Sequence, residues 1–216
     1  MRTLKQSGFT LIEMIVALGV FSFVITIAIG ALLMLVSASR QLQGEQAVMT
    51  NLSFALDSMT REIRTGTYYY CDSQSSASGS SNIFNPNNNV DTLLGDSYQD
   101  CANGNQSSYQ YHGIAFKEGG DSITGANDHI LYYFDRGTGS IYRRVGGGPP
   151  QSIVASGIYI KNAEFTVTGS KKLSFGGASS QDQPAVTIFI EAAESNSPTA
   201  KSYYLETTIT QRTLDI

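Results

Sequence analysis

Glu13 is the one carboxylate in an apolar run: Phe9, Leu11 and Ile12 precede it, and no residue from Met14 to Val36 is charged. That uncharged stretch makes about 34 Å of helix at about 1.5 Å per residue, against a bilayer hydrocarbon core of about 30 Å. A charged side chain at the centre of such a span costs on the order of 2.5–3.5 kcal/mol on insertion scales, and less toward the edge. No basic residue lies within the first turn around Glu13. The chemistry open to it is an ion pair with a cation supplied from elsewhere, where a low dielectric strengthens the attraction.

Other residues could do chemistry, and most read as structure. Cys71 and Cys101 lie in a stretch of Ser, Asn, Gly and Asp. No CxxC spacing or neighbouring histidine pair makes them a zinc site. In an oxidising compartment they are expected to pair, closing a loop of about 30 residues for roughly 3–4 kcal/mol in the chain-entropy account. His112 and His129 are the only histidines; neither sits in a nucleophile or zinc motif, and each reads as a strand-edge or loop residue. The run Val145 to Pro150, VGGGPP, lacks the lysine of a phosphate loop and reads as a turn. Asp91, Asp96, Asp100, Asp121 and Asp128 could hold calcium, but they follow no EF-hand spacing and read as solvated loop residues. No cofactor is expected, structural calcium being the open alternative. Tyr68 to Tyr70 could form an adhesive aromatic patch, although packing at a helix-to-sheet junction suits them better. Arg143 and Arg144 are too few to carry nucleic-acid binding in a chain of net charge −4 with 15% charged residues. No residue set reads as catalytic, so an enzyme is not expected.

The elements that position these residues follow from periodicity. At 216 residues the chain has room for one ordinary domain beside a membrane segment. Arg2 and Lys5 are the only side-chain charges before the apolar run. The positive-inside rule therefore sets a single pass with the N-terminus cytoplasmic and everything after Arg40 outside. Beyond Arg40, Val48, Leu52, Ala55, Met59 and Ile63 recur at steps of three or four, one stripe along a continued helix. Asp57, Arg61 and Glu62 fall on its other faces, with Asp57 and Arg61 spaced as an i, i+4 pair, and Gly66 is a stop signal. Residues 72–108 are poor in apolar residues and read as loop with short ordered pieces at best, such as Asn82 to Phe84, unable to bury a core by themselves. Strand patterns follow at 113–117, 129–135, 140–145, 157–169, 185–194 and 201–214, with DRGTG as a hairpin joining Ile130 to Phe134 with Ile141 to Val145. With no tryptophan and more tyrosine (12) than phenylalanine (10), the composition suits a half-exposed sheet. The expected fold is α+β: a long N-terminal helix whose second, amphipathic half covers an antiparallel sheet.

A short basic leader ending in Gly8, then Phe9, Thr10, Leu11, Ile12 and Glu13 and an unbroken apolar stretch, resembles the signal and N-terminal helix of type IV pilins and of type II secretion pseudopilins. The resemblance implies cleavage by a prepilin peptidase between Gly8 and Phe9 and N-methylation of the new Phe9 amine. It also implies assembly through Glu13, which would face the Phe9 ammonium of a neighbouring subunit. At about 4 Å and an effective dielectric near 20, that pair attracts by about 4 kcal/mol before desolvation is subtracted. Gly19 and Gly30 would allow close helix contact; Gly30 stands where many major pilins have proline. LDSMTREIRTG (Leu56 to Gly66) together with TTITQRTLDI (Thr207 to Ile216) is most similar to J-like minor pseudopilins and W-like minor pilins. Presence of Glu13 departs from the tip-type subunit of some secretion systems.

The expected organisation is a leader over residues 1–8, a transmembrane and filament-core helix over 9–39, its amphipathic continuation over 40–66, a Ser/Asn/Gly-rich loop region over 67–112, and a β-rich head over 113–216. Expected partners are other pilin or pseudopilin subunits, the prepilin peptidase, an inner-membrane assembly platform and, before assembly, membrane lipid; nucleic acid is not expected. Expected location is the inner membrane, then an extracytoplasmic filament. Two rivals are a signal-anchored binding or catalytic ectodomain that never polymerises, and an ordinary signal peptide cut after Ala38, which leaves Glu13 unexplained. Mass spectrometry of the mature N-terminus separates leader removal from the signal-peptide rival: a chain starting at methylated Phe9 is expected, and one starting at Ser39 refutes it.

Overall fold

The computed structural model describes residues 8–101, 109–119, 129–170, 183–194 and 200–212. It contains helix α1 (Leu11–Thr65), strand β1 (Thr67–Gln74), a short helix α2 (Val90–Leu94), and strands β2 (Tyr111–Lys117), β3 (His129–Asp135), β4 (Ser140–Val145), β5 (Gln151–Ser152), β6 (Tyr159–Thr168), β7 (Ala185–Ala193) and β8 (Tyr203–Thr210). The chain divides into two compact units, Met1–Gln46 and Ala47–Ile216. The first is α-helical from Leu11 onward, with its apolar side chains exposed.

In the second unit the strands form two antiparallel sheets, β1-β2-β3-β4-β5 and β6-β7-β8, where the sequence suggested one. Both bury one face against the same helical stripe. Val48, Leu52, Ala55, Leu56, Met59 and Ile63 are at most 8% exposed. In one cluster the stripe packs with Tyr69, Ile114, Phe116, Ile130, Tyr132 and Phe134 of the larger sheet and with Phe165, Val167, Val186, Ile188 and Ile190 of the smaller. Each large apolar side chain so buried contributes roughly 1.5–3 kcal/mol. The hairpin β3–β4 pairs Ile130 with Val145 and Phe134 with Ile141, in the expected register. Gly139 in its turn has φ +64, and the Tyr159 ring occupies the space a Cβ would take; both exclude a side chain.

The loop reading of residues 72–108 needs correction. Thr67–Gln74 is a strand paired with β2, and Val90–Leu94 is a helical turn capped by Asn89, whose side chain accepts from the Asp91 amide. Ile83, Phe84, Val90 and Leu94 bury a second cluster with Ala115, Leu131 and Tyr133 on the outer face of the larger sheet. Covered on both faces, β3 is buried at all seven positions. His112 and His129 are likewise not at strand edges or in loops: both lie in sheet strands and are at most 1% exposed.

Gly66 ends α1 because of close approach: a Cβ there would overlap the Phe116 ring. The terminal carbonyls a helix leaves unpaired are taken up from three places. The Tyr69 hydroxyl lies 2.6 Å from Ile63 O and 2.8 Å from Gly66 O, and donates to either. Arg212 N donates to Arg64 O at 2.8 Å, and Gln211 Nε2 to Gly66 O at 2.9 Å. Burial of Tyr69 pushes its phenol well above the ordinary range.

Cys71 of β1 is disulfide-bonded to Cys101, with Cα atoms 5.8 Å apart. The bridge lies where three segments meet: Gln99 N donates to Tyr69 O, Cys71 N to Gln99 O, and Cys101 N to Val167 O of β6. With a separation of 30 residues, replacing both cysteines by serine is expected to lower unfolding free energy by about 3–4 kcal/mol; a urea titration of the full chain reads the loss.

Candidate functional site

Gly8, Phe9 and Thr10 precede the helix and are exposed, with no atom of the described residues near the space a Cβ on Gly8 would take. A peptide bond outside the helix carries no intrahelical hydrogen bond that a protease must first break. Thr10 opens the helix: its carbonyl accepts from the Glu13 amide at 3.1 Å and the Met14 amide at 3.3 Å, and its Oγ1 lies 3.4 Å from the Glu13 amide. Glu13 is thereby the third residue of the first turn. There the helix dipole favours a carboxylate by about 0.3–1 kcal/mol at an exposed site. The Thr-x-x-Glu pattern is a sequence-level sign of this start that the reading from hydropathy alone passes over.

The dipole does not fully compensate the charge. Among the described residues Glu13 accepts no hydrogen bond from a side chain and has no ion-pair partner. Around it Phe9 is 79% exposed, Leu11 78% and Ile12 71%. The helix is long and apolar enough to cross a membrane, and none of its most apolar stretch is buried. The polar groups inside that stretch are self-contained: Ser22 Oγ donates to Leu18 O and Thr26 Oγ1 to Ser22 O, each at 2.8 Å, so neither hydroxyl needs a partner from outside the helix. The helix runs unbroken through Gly19 and Gly30, and nothing lies near the Cβ position of either. Among the described residues nothing requires those glycines.

The other candidate residues are committed elsewhere. Glu62 accepts from the Tyr132 hydroxyl at 2.6 Å and from Arg143 Nε at 2.9 Å, a buried-side partnership that the helical wheel alone does not reveal. Arg144 is 1% exposed and donates to Ile83 O and Asn85 O, each at 2.7 Å; burial lowers its pKa. The two arginines, too few for nucleic-acid binding, thus fasten the outer segment and the helix to β4. Asp57 and Arg61 form the expected i, i+4 pair at 2.8 Å. Asp91 Oδ1 accepts from the His129 amide and lies 2.9 Å from its Nδ1, Asp96 pairs with Lys117 at 2.6 Å, and Asp100 accepts from the Ser170 amide. The remaining calcium candidates, Asp121 and Asp128, lie outside the described residues. Tyr68 to Tyr70 sit at the helix-to-sheet junction, with Tyr69 buried.

His112 stacks on Phe134 with ring centroids 6.4 Å apart. Burial, then the Arg136 charge, lowers its pKa from about 6.5, outweighing opposing contributions from the Tyr109 backbone and Glu164. The unfolded chain binds this proton near pH 6.5 and the folded chain only at lower pH. Stability from this group is therefore complete above about 6.5 and falls as pH drops toward the folded pKa. His112→Phe, which keeps a stacked ring without titrating, is expected to flatten that slope in denaturant midpoints measured between about pH 6.5 and 5.

Comparison with known proteins bears on the N-terminal end. Neither the curated proteins nor the solved structures provide a significant match to the chain. Residues 3–29 match the family model described as the prokaryotic N-terminal methylation motif. This interval contains Gly8, Phe9, Glu13 and the first part of the exposed apolar helix. With that helix and its lone acid, the chain carries the prokaryotic N-terminal methylation motif, the signal of type IV pilins and pseudopilins, at the head of an α+β pilin-like layout.

Proposed function

We propose that this protein is a non-enzymatic subunit of a type IV filament, of the minor pilin or minor pseudopilin class. A prepilin peptidase removes residues 1–8, the Phe9 amine is methylated, and the helix moves from the membrane into the filament core. The observation that carries this reading is Glu13: a carboxylate without a cation among the described residues, on an unburied apolar helix, inside the matched motif. The N-terminal ammonium of a neighbouring subunit, a copy or a sibling, supplies the missing counter-ion. A stagger that separates the two would leave both charges stranded, so the pair selects one register. Minor-subunit character rests on the resemblance of residues 56–66 and 207–216 to J-like and W-like subunits.

The reading makes membrane lipid, the peptidase, an assembly platform and sibling subunits the partners, and the inner membrane followed by an extracytoplasmic filament the location. Glu13→Gln keeps the shape and removes the charge. It is expected to cut incorporation into sheared, sedimented filaments at least about tenfold, the equivalent of about 1.4 kcal/mol, while leader removal and head stability stay unchanged. Wild-type incorporation of the variant refutes the assembly role.

A further inference from the structure

The smaller sheet has an outer face that no part of the described chain covers. Its inner positions, such as Phe165, Ile188 and Ile209, belong to the core. Its outer positions line up in rows across β6, β7 and β8: Asn162, Glu191 and Tyr204; Glu164, Phe189 and Glu206; Thr166, Thr187 and Thr208. The face therefore carries three carboxylates, and no lysine or arginine stands in these rows. Lys161, at the β6 bulge, is held by Ala200 O at 3.0 Å and Ser202 Oγ at 2.9 Å.

At the centre is a shallow depression lined by Glu164, Thr166, Thr187, Phe189 and Glu206. Phe189 stacks on Tyr204, 62% exposed, at a centroid distance of 6.2 Å. Glu164 and Glu206 flank Phe189 on neighbouring strands, about 10 Å apart at about 4.8 Å per strand. That distance separates the backbones, and two acids on either side of an aromatic ring suit a guanidinium laid over it.

The same unit holds the complementary charge. Arg64, in the last turn of α1, and Arg212, just after β8, are joined through the hydrogen bond between Arg212 N and Arg64 O, and both are exposed. Among the described residues neither takes part in an ion pair. Arg61, paired with Asp57, borders them one turn earlier on the helix. About 20 Å of extended chain separates Arg212 from Glu206 at about 3.3 Å per residue, so the basic corner and the acidic face are distinct surfaces.

We propose that the outer face of the β6-β7-β8 sheet docks the Arg64–Arg212 corner of a second copy of this chain. The contact joins unlike surfaces, leaves each copy one face and one corner free, and so extends head to tail. It rests on the assembly reading for the side-by-side placement of copies and adds to it a contact between heads. Opposed charges at this contact set which neighbour fits and how fast it is found.

Two charge reversals in the full-length chain test it, Glu164→Lys with Glu206→Lys, and Arg64→Glu with Arg212→Glu. Affinity-tagged and untagged copies in detergent at about 50 mM salt, where screening is weak, are co-purified. Each reversed chain by itself is expected to recover at least about fivefold less untagged partner than wild type, and mixing the two reversed chains restores recovery, because one then offers an intact corner and the other an intact face. Restoration also establishes that both variants fold. Undiminished recovery by either reversed chain overturns the contact, and so does a mixture that fails to recover. Filament incorporation of the Glu13 variant reads the assembly role separately, so loss of one leaves the other standing.

Discussion

Two sheets in this protein share one cover. Five strands on one side and three on the other each have an apolar face, and the second half of α1 fills both. A sheet with one open apolar face is not stable in water, so the stripe from Val48 to Ile63 is the constraint from which the arrangement of that unit follows. The end of the helix is fixed accordingly. Its last carbonyls are satisfied by Tyr69 from β1 and by Gln211 and Arg212 beyond β8, which draws the first strand and the last to the same place.

The first half of the same helix obeys the opposite rule. Its side chains are as apolar as the core and are exposed in the chain by itself, while its hydroxyls are bonded within the helix. Such a surface is completed by lipid or by other helices. Under the assembly proposed above, Glu13 would tell these two environments apart, since lipid tails offer no counter-ion and a neighbouring amine does. On the second unit an acidic face lies on one surface and an arginine corner on another, and among the described residues no ion pair joins them.

Much was readable because the relevant periods are short. A stripe at steps of three and four marks a helix regardless of what it packs on, and β3 and β4 kept the residues their β-branched and aromatic patterns indicated. Where reading failed, distant segments had supplied the cover. Residues 72–108 are poor in apolar groups, yet Ile83, Phe84, Val90 and Leu94 suffice when the outer face of the larger sheet provides the rest of the cluster. The histidines misled for the same reason: a ring looks like an edge residue until a second layer is known to lie over it.

The sequence by itself carried the N-terminal methylation motif: Gly8, an acid five residues later and a charge-free helical stretch are contiguous, and recognising them needs no long-range contact. Local spacing also determined the helical stripe and the β3–β4 hairpin. Only the tertiary structure decided that the strands split into two sheets, that Arg143 answers Glu62 and Arg144 the carbonyls of Ile83 and Asn85, and that Arg64 lies beside Arg212. Those pairings join residues far apart in the chain, and their partners are selected by which faces remain uncovered after the core has closed.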